Sequence, residues 1–105
     1  MRAAFLVVLM LFAAPAAAQD DELVAQGKAL AEAKCARCHA IGPEGESQLP
    51  IAPAFRTLSE RYPVADLEEA LGEGIVSGHP EMPEFVFEPD EVAALVAYLQ
   101  SVQPM

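Results

Sequence analysis

Along most of this chain the apolar positions fall three and four apart, the spacing of one helix face, and no credible strand pattern interrupts them. Leu23, Gly27, Leu30 and Ala31 mark such a face between Asp20 and about Lys34, with Asp20, Asp21 and Glu22 where the positive end of a helix dipole favours acids. From Ala40 to Pro53 the period is lost. Gly42, Pro43, Gly45, Ser47 and Pro50 cannot sustain a helix and predict an ordered loop. Ala54 to Arg61 supports a short helix. Pro63, tolerated in a first turn, opens another whose face is Val64, Leu67, Ala70 and Leu71, with Gly72 and Gly74 as its stop. Ile75 to Phe87 reads as loop, and Pro89-Asp90-Glu91 starts a last helix with the stripe Val92, Leu95, Val96, Leu99 and Val102. The pattern predicts an all-α domain of about four helices, with no internal repeat and no linker that would divide it.

The first residues follow a different rule. Met1-Arg2 is a positive start, Ala3 to Ala14 is almost purely apolar, and Ala16-Ala17-Ala18 offers small residues for cleavage, the layout of a secretory signal peptide. The apolar run is shorter than the ~20 residues that span a bilayer, and Pro15 interrupts it. Residues 1–18 are therefore expected to be removed, leaving a domain at 19–105 that begins with Gln19, without a membrane anchor. No cysteine near that junction suggests a lipid anchor.

Cleavage sharpens the charge. The whole chain has 6 basic and 16 acidic residues; Arg2 departs with the leader, so residues 19–105 carry 5 − 16 = −11. A field of that sign argues against nucleic acid and anionic membranes and favours solubility or a partner with a basic docking rim. The 87 residues left (105 − 18) hold a thin core, which a large buried apolar cofactor would help.

Cys35-Ala36-Arg37-Cys38-His39 supplies the chemistry. The spacing C-x-x-C-H reads as a covalent haem c attachment site, in which two thiols bind vinyl groups on one porphyrin edge and the next His reaches the iron. A thioredoxin-like redox pair, half of a zinc site and a structural disulfide are the alternatives. A thioredoxin-like pair should follow a buried strand, whereas Ala, Lys, Glu and Leu precede Cys35. Closed zinc needs four ligands, and beyond the pentad only the distant His79 remains. Haem attachment occurs outside the cytoplasm, in keeping with the leader, so the expected location is the periplasm.

With the motif between a first helix and a Pro-bearing loop, and with a late Met flanked by prolines before a C-terminal amphipathic helix, residues 20–102 resemble the small one-haem class I c-type cytochromes. The resemblance implies a cytochrome c-like fold wrapped around one covalent haem. It also implies a close crossing of first and last helices at Gly27 and Tyr98, although Ala31 stands where the family often has an aromatic. His39 would be one axial ligand, its ring oriented by a loop carbonyl near Gly42-Pro43 or between Pro50 and Pro53. Candidates for the other axial position are Met82, Met105, His79, Lys28 and Lys34. Met82, in Pro80-Glu81-Met82-Pro83, is the expected ligand, and His79 comes next. Arg56 and Tyr62 are candidate partners for the haem propionates; the Trp often found there is absent.

Such a protein would be an electron carrier rather than an enzyme, a monomer shuttling single electrons to other redox proteins. The alternative is a haem subunit of a larger oxidoreductase. A ligand-binding or peroxidatic haem protein, with an open sixth position and His79 as its acid-base group, ranks third.

Overall fold

In this computed structural model of the protein, residues 3–11, 16–74 and 82–104 are described. Every regular element among them is helical: α1 (Ala16–Lys34), 3₁₀ turns at Phe55–Glu60 and Val64–Asp66, α2 (Leu67–Glu73) and α3 (Pro89–Ser101). Residues 3–11 form no regular element, and the apolar side chains from Phe5 to Leu11 are exposed. No described helix is long and apolar enough to cross a membrane.

Helix α1 starts earlier than Asp20. Alanine is the strongest helix former, so the Ala16-Ala17-Ala18 backbone joins the helix, and no acidic residue stands in its first turn. At its other end the chain keeps turning: the Cys35 and Ala36 N–H groups both donate to the Ala31 carbonyl, at 2.8 and 2.9 Å. Helix α2 runs through Gly72 and stops at Gly74, whose φ of 102° a side chain would resist. Helix α3 begins with Pro89 in its first turn and a capping box in which the Glu88 N–H donates to Glu91 Oε1 at 3.1 Å.

The core forms where α3 lies across α1. Val92, Leu95, Val96, Tyr98 and Leu99 turn inward from α3, Ala31 is fully buried, and Phe55, Leu58, Val64 and Leu71 close the cluster from the short elements. At Gly27 the backbones come so close that a Cβ would stand 1.9 Å from the Ala94 carbonyl oxygen and 2.7 Å from Tyr98 Cβ. The small residue at 31 thus accompanies a tight crossing. Tyr98 finishes it by donating its hydroxyl to the Ile41 carbonyl at 2.7 Å, which ties α3 to the loop after the motif.

Candidate functional site

One cavity of about 440 Å³ gathers the residues singled out by the motif, a size typical of small-molecule and cofactor pockets. Cys35, Cys38 and His39 line it from the end of α1, and Met82 with Pro83 lines it from the segment before α3. Its walls are mainly aliphatic and aromatic side chains from the loop, the Phe55–Glu60 turn, α2 and α3.

The turn from Cys35 to His39 is built from backbone bonds. The His39 and Cys38 N–H groups donate back to the Cys35 carbonyl at 2.9 and 3.1 Å, and the Leu49 N–H reaches the Cys38 carbonyl at 3.1 Å. The Ala40 N–H donates to Ser47 Oγ at 2.9 Å, gathering the loop beneath the motif. His39 is held on two sides: Nδ1 donates to the Pro53 carbonyl at 2.7 Å, and its ring centroid lies 5.0 Å from that of Phe55. Of the two loop regions open to this role, the structure selects Pro53. With Nδ1 so engaged, Nε2 keeps its lone pair for a metal.

The competing uses of the cysteines fare less well. Both thiols are free rather than joined. Burial, and then the neighbouring Cys38, push the Cys35 thiol up to about 11, whereas a redox-active cysteine has its thiolate favoured. A helix rather than a strand leads into the pair. Among the described residues no group of three or more His, Cys, Asp or Glu is placed to hold a metal ion.

Of the axial candidates other than His39, Met82 and Lys34 line the cavity. Met82 is 37% exposed. Lys34 Nζ sits 5.7 Å from the Phe85 ring centroid, a cation–π contact. Lys28 is exposed on α1 and is not part of the lining. His79 and Met105 lie outside the described residues, as does most of the loop expected from Ile75 onward.

Tyr62 lines the cavity, but Arg56 does not. The reason is the helix type. Three residues per turn stack i over i+3, so Phe55, Leu58 and then Arg61 face the cavity, while Arg56 turns to the loop and donates through Nη1 to the Gly45 carbonyl at 2.6 Å. Arg61 is a lining residue that the sequence did not single out; its three-residue spacing from Leu58 and Phe55 was its only signal there. The charged lining residues are Lys34 and Arg61, with no carboxylate among the described ones.

These features fit a haem. Two free thiols, an imidazole with Nε2 available, a thioether, apolar walls and a cationic rather than acidic set of charged lining residues form a matching set of donors and surfaces for this dianionic group. A family model described as cytochrome c matches residues 24–103. Neither a curated protein nor a solved structure matches the chain.

Proposed function

The chain belongs to the cytochrome c family, its fold is all-α, and from that premise of haem-based electron transfer we propose that it is a one-haem electron carrier of the periplasm. The observation that carries this reading is the single cavity shared by Cys35, Cys38, His39 and Met82. Cys35 and Cys38 hold the group by thioether bonds, one attachment motif implying one haem. The haem supplies reversible one-electron chemistry at its iron.

His39 and Met82 would hold the iron, leaving it no room for a substrate, and the group would supply outer-sphere electron transfer. The Pro53 carbonyl fixes the imidazole and raises its basicity. The Met82 thioether, as a ligand beside His39, would raise the potential relative to two imidazoles. Arg61 and Tyr62, which line the cavity where Arg56 does not, would pair with the propionates, and the apolar walls would exclude water from the iron. The leader, residues 1–18, directs export and is then removed.

Redox proteins are the partners. The net charge of −11 (5 − 16 over residues 19–105) attracts a basic docking rim, while exposed Arg37 on the attachment turn finds an acidic mate within it. As a free carrier it should react more slowly as salt rises, since exposed charges are screened beyond ~8 Å at physiological ionic strength. A rate indifferent to salt would favour a subunit of a larger oxidoreductase, which would use the same site.

The test is the weak long-wavelength sulfur-to-iron band of the ferric protein. It should vanish in Met82→Ala and persist in His79→Ala; the reverse would move the axial role to His79.

A further inference from the structure

Gln103 lies just beyond α3, yet its side-chain amide is bonded at both ends. Nε2 donates to the Phe55 carbonyl at 2.6 Å and to the Leu99 carbonyl at 2.8 Å, and Oε1 accepts from the Ser59 N–H at 3.0 Å. One side chain thus joins the end of α3 to both halves of the Phe55–Glu60 turn.

That turn and the residues leading into it form a bracket around His39. The Pro53 carbonyl takes the imidazole Nδ1–H, the Phe55 ring lies against the imidazole at 40°, and the Phe55 N–H donates to the Ala40 carbonyl at 2.9 Å, next to His39 in the chain. The inner side of the bracket is tied to the motif segment. Its outer side, the Phe55 carbonyl and the Ser59 N–H, is tied to Gln103.

We propose that Gln103 is a positioning residue for His39, holding the Pro53-Ala54-Phe55 bracket at the angle that fixes the imidazole plane and the strength of its Nδ1–H bond. This rests on the reading of His39 as an iron ligand. Removing the amide leaves the Phe55 carbonyl and the Ser59 N–H without these partners at once, and the bracket can rotate. A looser Nδ1–H bond makes the imidazole less basic and less able to stabilise ferric iron.

The experiment compares ferric wild-type holoprotein with Gln103→Ala, Gln103→Glu and the exposed α3 control Gln100→Ala. The readouts are the paramagnetically shifted haem-methyl resonances, whose order and spread follow the orientation of the axial imidazole, together with the reduction potential and thermal stability. Gln103→Ala should change the methyl pattern and shift the potential upward; Gln100→Ala should do neither. Gln103→Glu keeps an acceptor for Ser59 but aims a carboxylate at two carbonyl oxygens. Protonating it restores one donor, so its methyl pattern should return toward that of the wild type as the pH is lowered. Lower thermal stability in Gln103→Ala with methyl pattern and potential unchanged would overturn the proposal, as would a Gln103→Glu pattern identical to wild type at every pH. A wild-type protein lacking covalent haem would overturn the functional reading as well, and is recognised by the absence of any haem resonance.

Discussion

Replacing Gly27 with alanine tests how the fold delivers the attachment turn. The added Cβ would lie 1.9 Å from the Ala94 oxygen, 2.6 Å from its carbonyl carbon and 2.7 Å from Tyr98 Cβ. Ordinary contact begins near 3.4 Å, so α1 and α3 must part by about 3.4 − 1.9 = 1.5 Å at this point. Two of the three atoms are main chain and cannot rotate away. Overpacking of this kind costs roughly 1–3 kcal/mol and occasionally more, while exchanging Gly for Ala in a helix interior returns about 1 kcal/mol. With two main-chain atoms overlapped the cost should stand at the upper end of that range, for a net loss of about 2 kcal/mol, or roughly 4–8 °C in midpoint per kcal/mol for a domain of this size.

Gly72→Ala is the matched control. It too lies inside a helix, but its Cβ would meet nothing closer than Val92 Cγ2 at 4.0 Å. Only the propensity gain remains, so this variant should be more stable by up to ~1 kcal/mol. Guanidinium denaturation of the two holoproteins, followed by helical circular dichroism, separates the cases through opposite midpoint shifts at similar slope. A Gly27→Ala protein as stable as wild type, or stabilised like Gly72→Ala, would refute the close crossing.

Tyr98→Phe should lose about 1–3 kcal/mol at neutral pH, because the Ile41 carbonyl loses its donor. Burial, and then Glu32, raise the Tyr98 phenol above its ordinary value of 10.0; the unfolded chain therefore releases this proton first, and the stability it contributes is full below about pH 10 and lost as pH climbs through the raised value. A variant whose alkaline unfolding matches wild type would contradict this. In chain purified before haem attachment, alkylation at Cys35, located by peptide mass, should keep accelerating toward about pH 11, whereas a plateau below neutrality would mark a redox thiolate. Arg61→Gln should lower the reduction potential more than Arg56→Gln, since a cation near the haem favours the reduced form; spectroelectrochemistry showing the opposite order would return the propionates to Arg56.

Helical periodicity was enough to locate α3 and the body of α1, because each depends on residues close in sequence. The pentad at 35–39 was legible for the same reason: its chemistry is carried by spacing alone. The pairing of Gly27 with Tyr98 was legible only through the resemblance to the class I cytochromes c, since it joins residues far apart in the chain. What was hidden depends on contacts formed across the fold. The start of α1 moved to Ala16 because alanines extend a helix beyond its acidic signal. Arg61 lines the cavity and Arg56 does not, a difference set by the repeat of three in the turn at Phe55–Glu60, which six residues of sequence scarcely reveal. The carbonyl facing His39 could not be chosen from a loop with several prolines until its closure at Pro53 was seen. Gln103 carried no signal at all, since a polar residue after an amphipathic helix ordinarily faces water.

The account turns on covalent haem at Cys35 and Cys38. Its most direct test is the intact mass of the protein isolated from cells able to mature c-type cytochromes. The expected product is a chain beginning at Gln19 and carrying one haem that survives acid-acetone extraction. A mass equal to the bare chain, with its two cysteines free or joined in a disulfide, would contradict it.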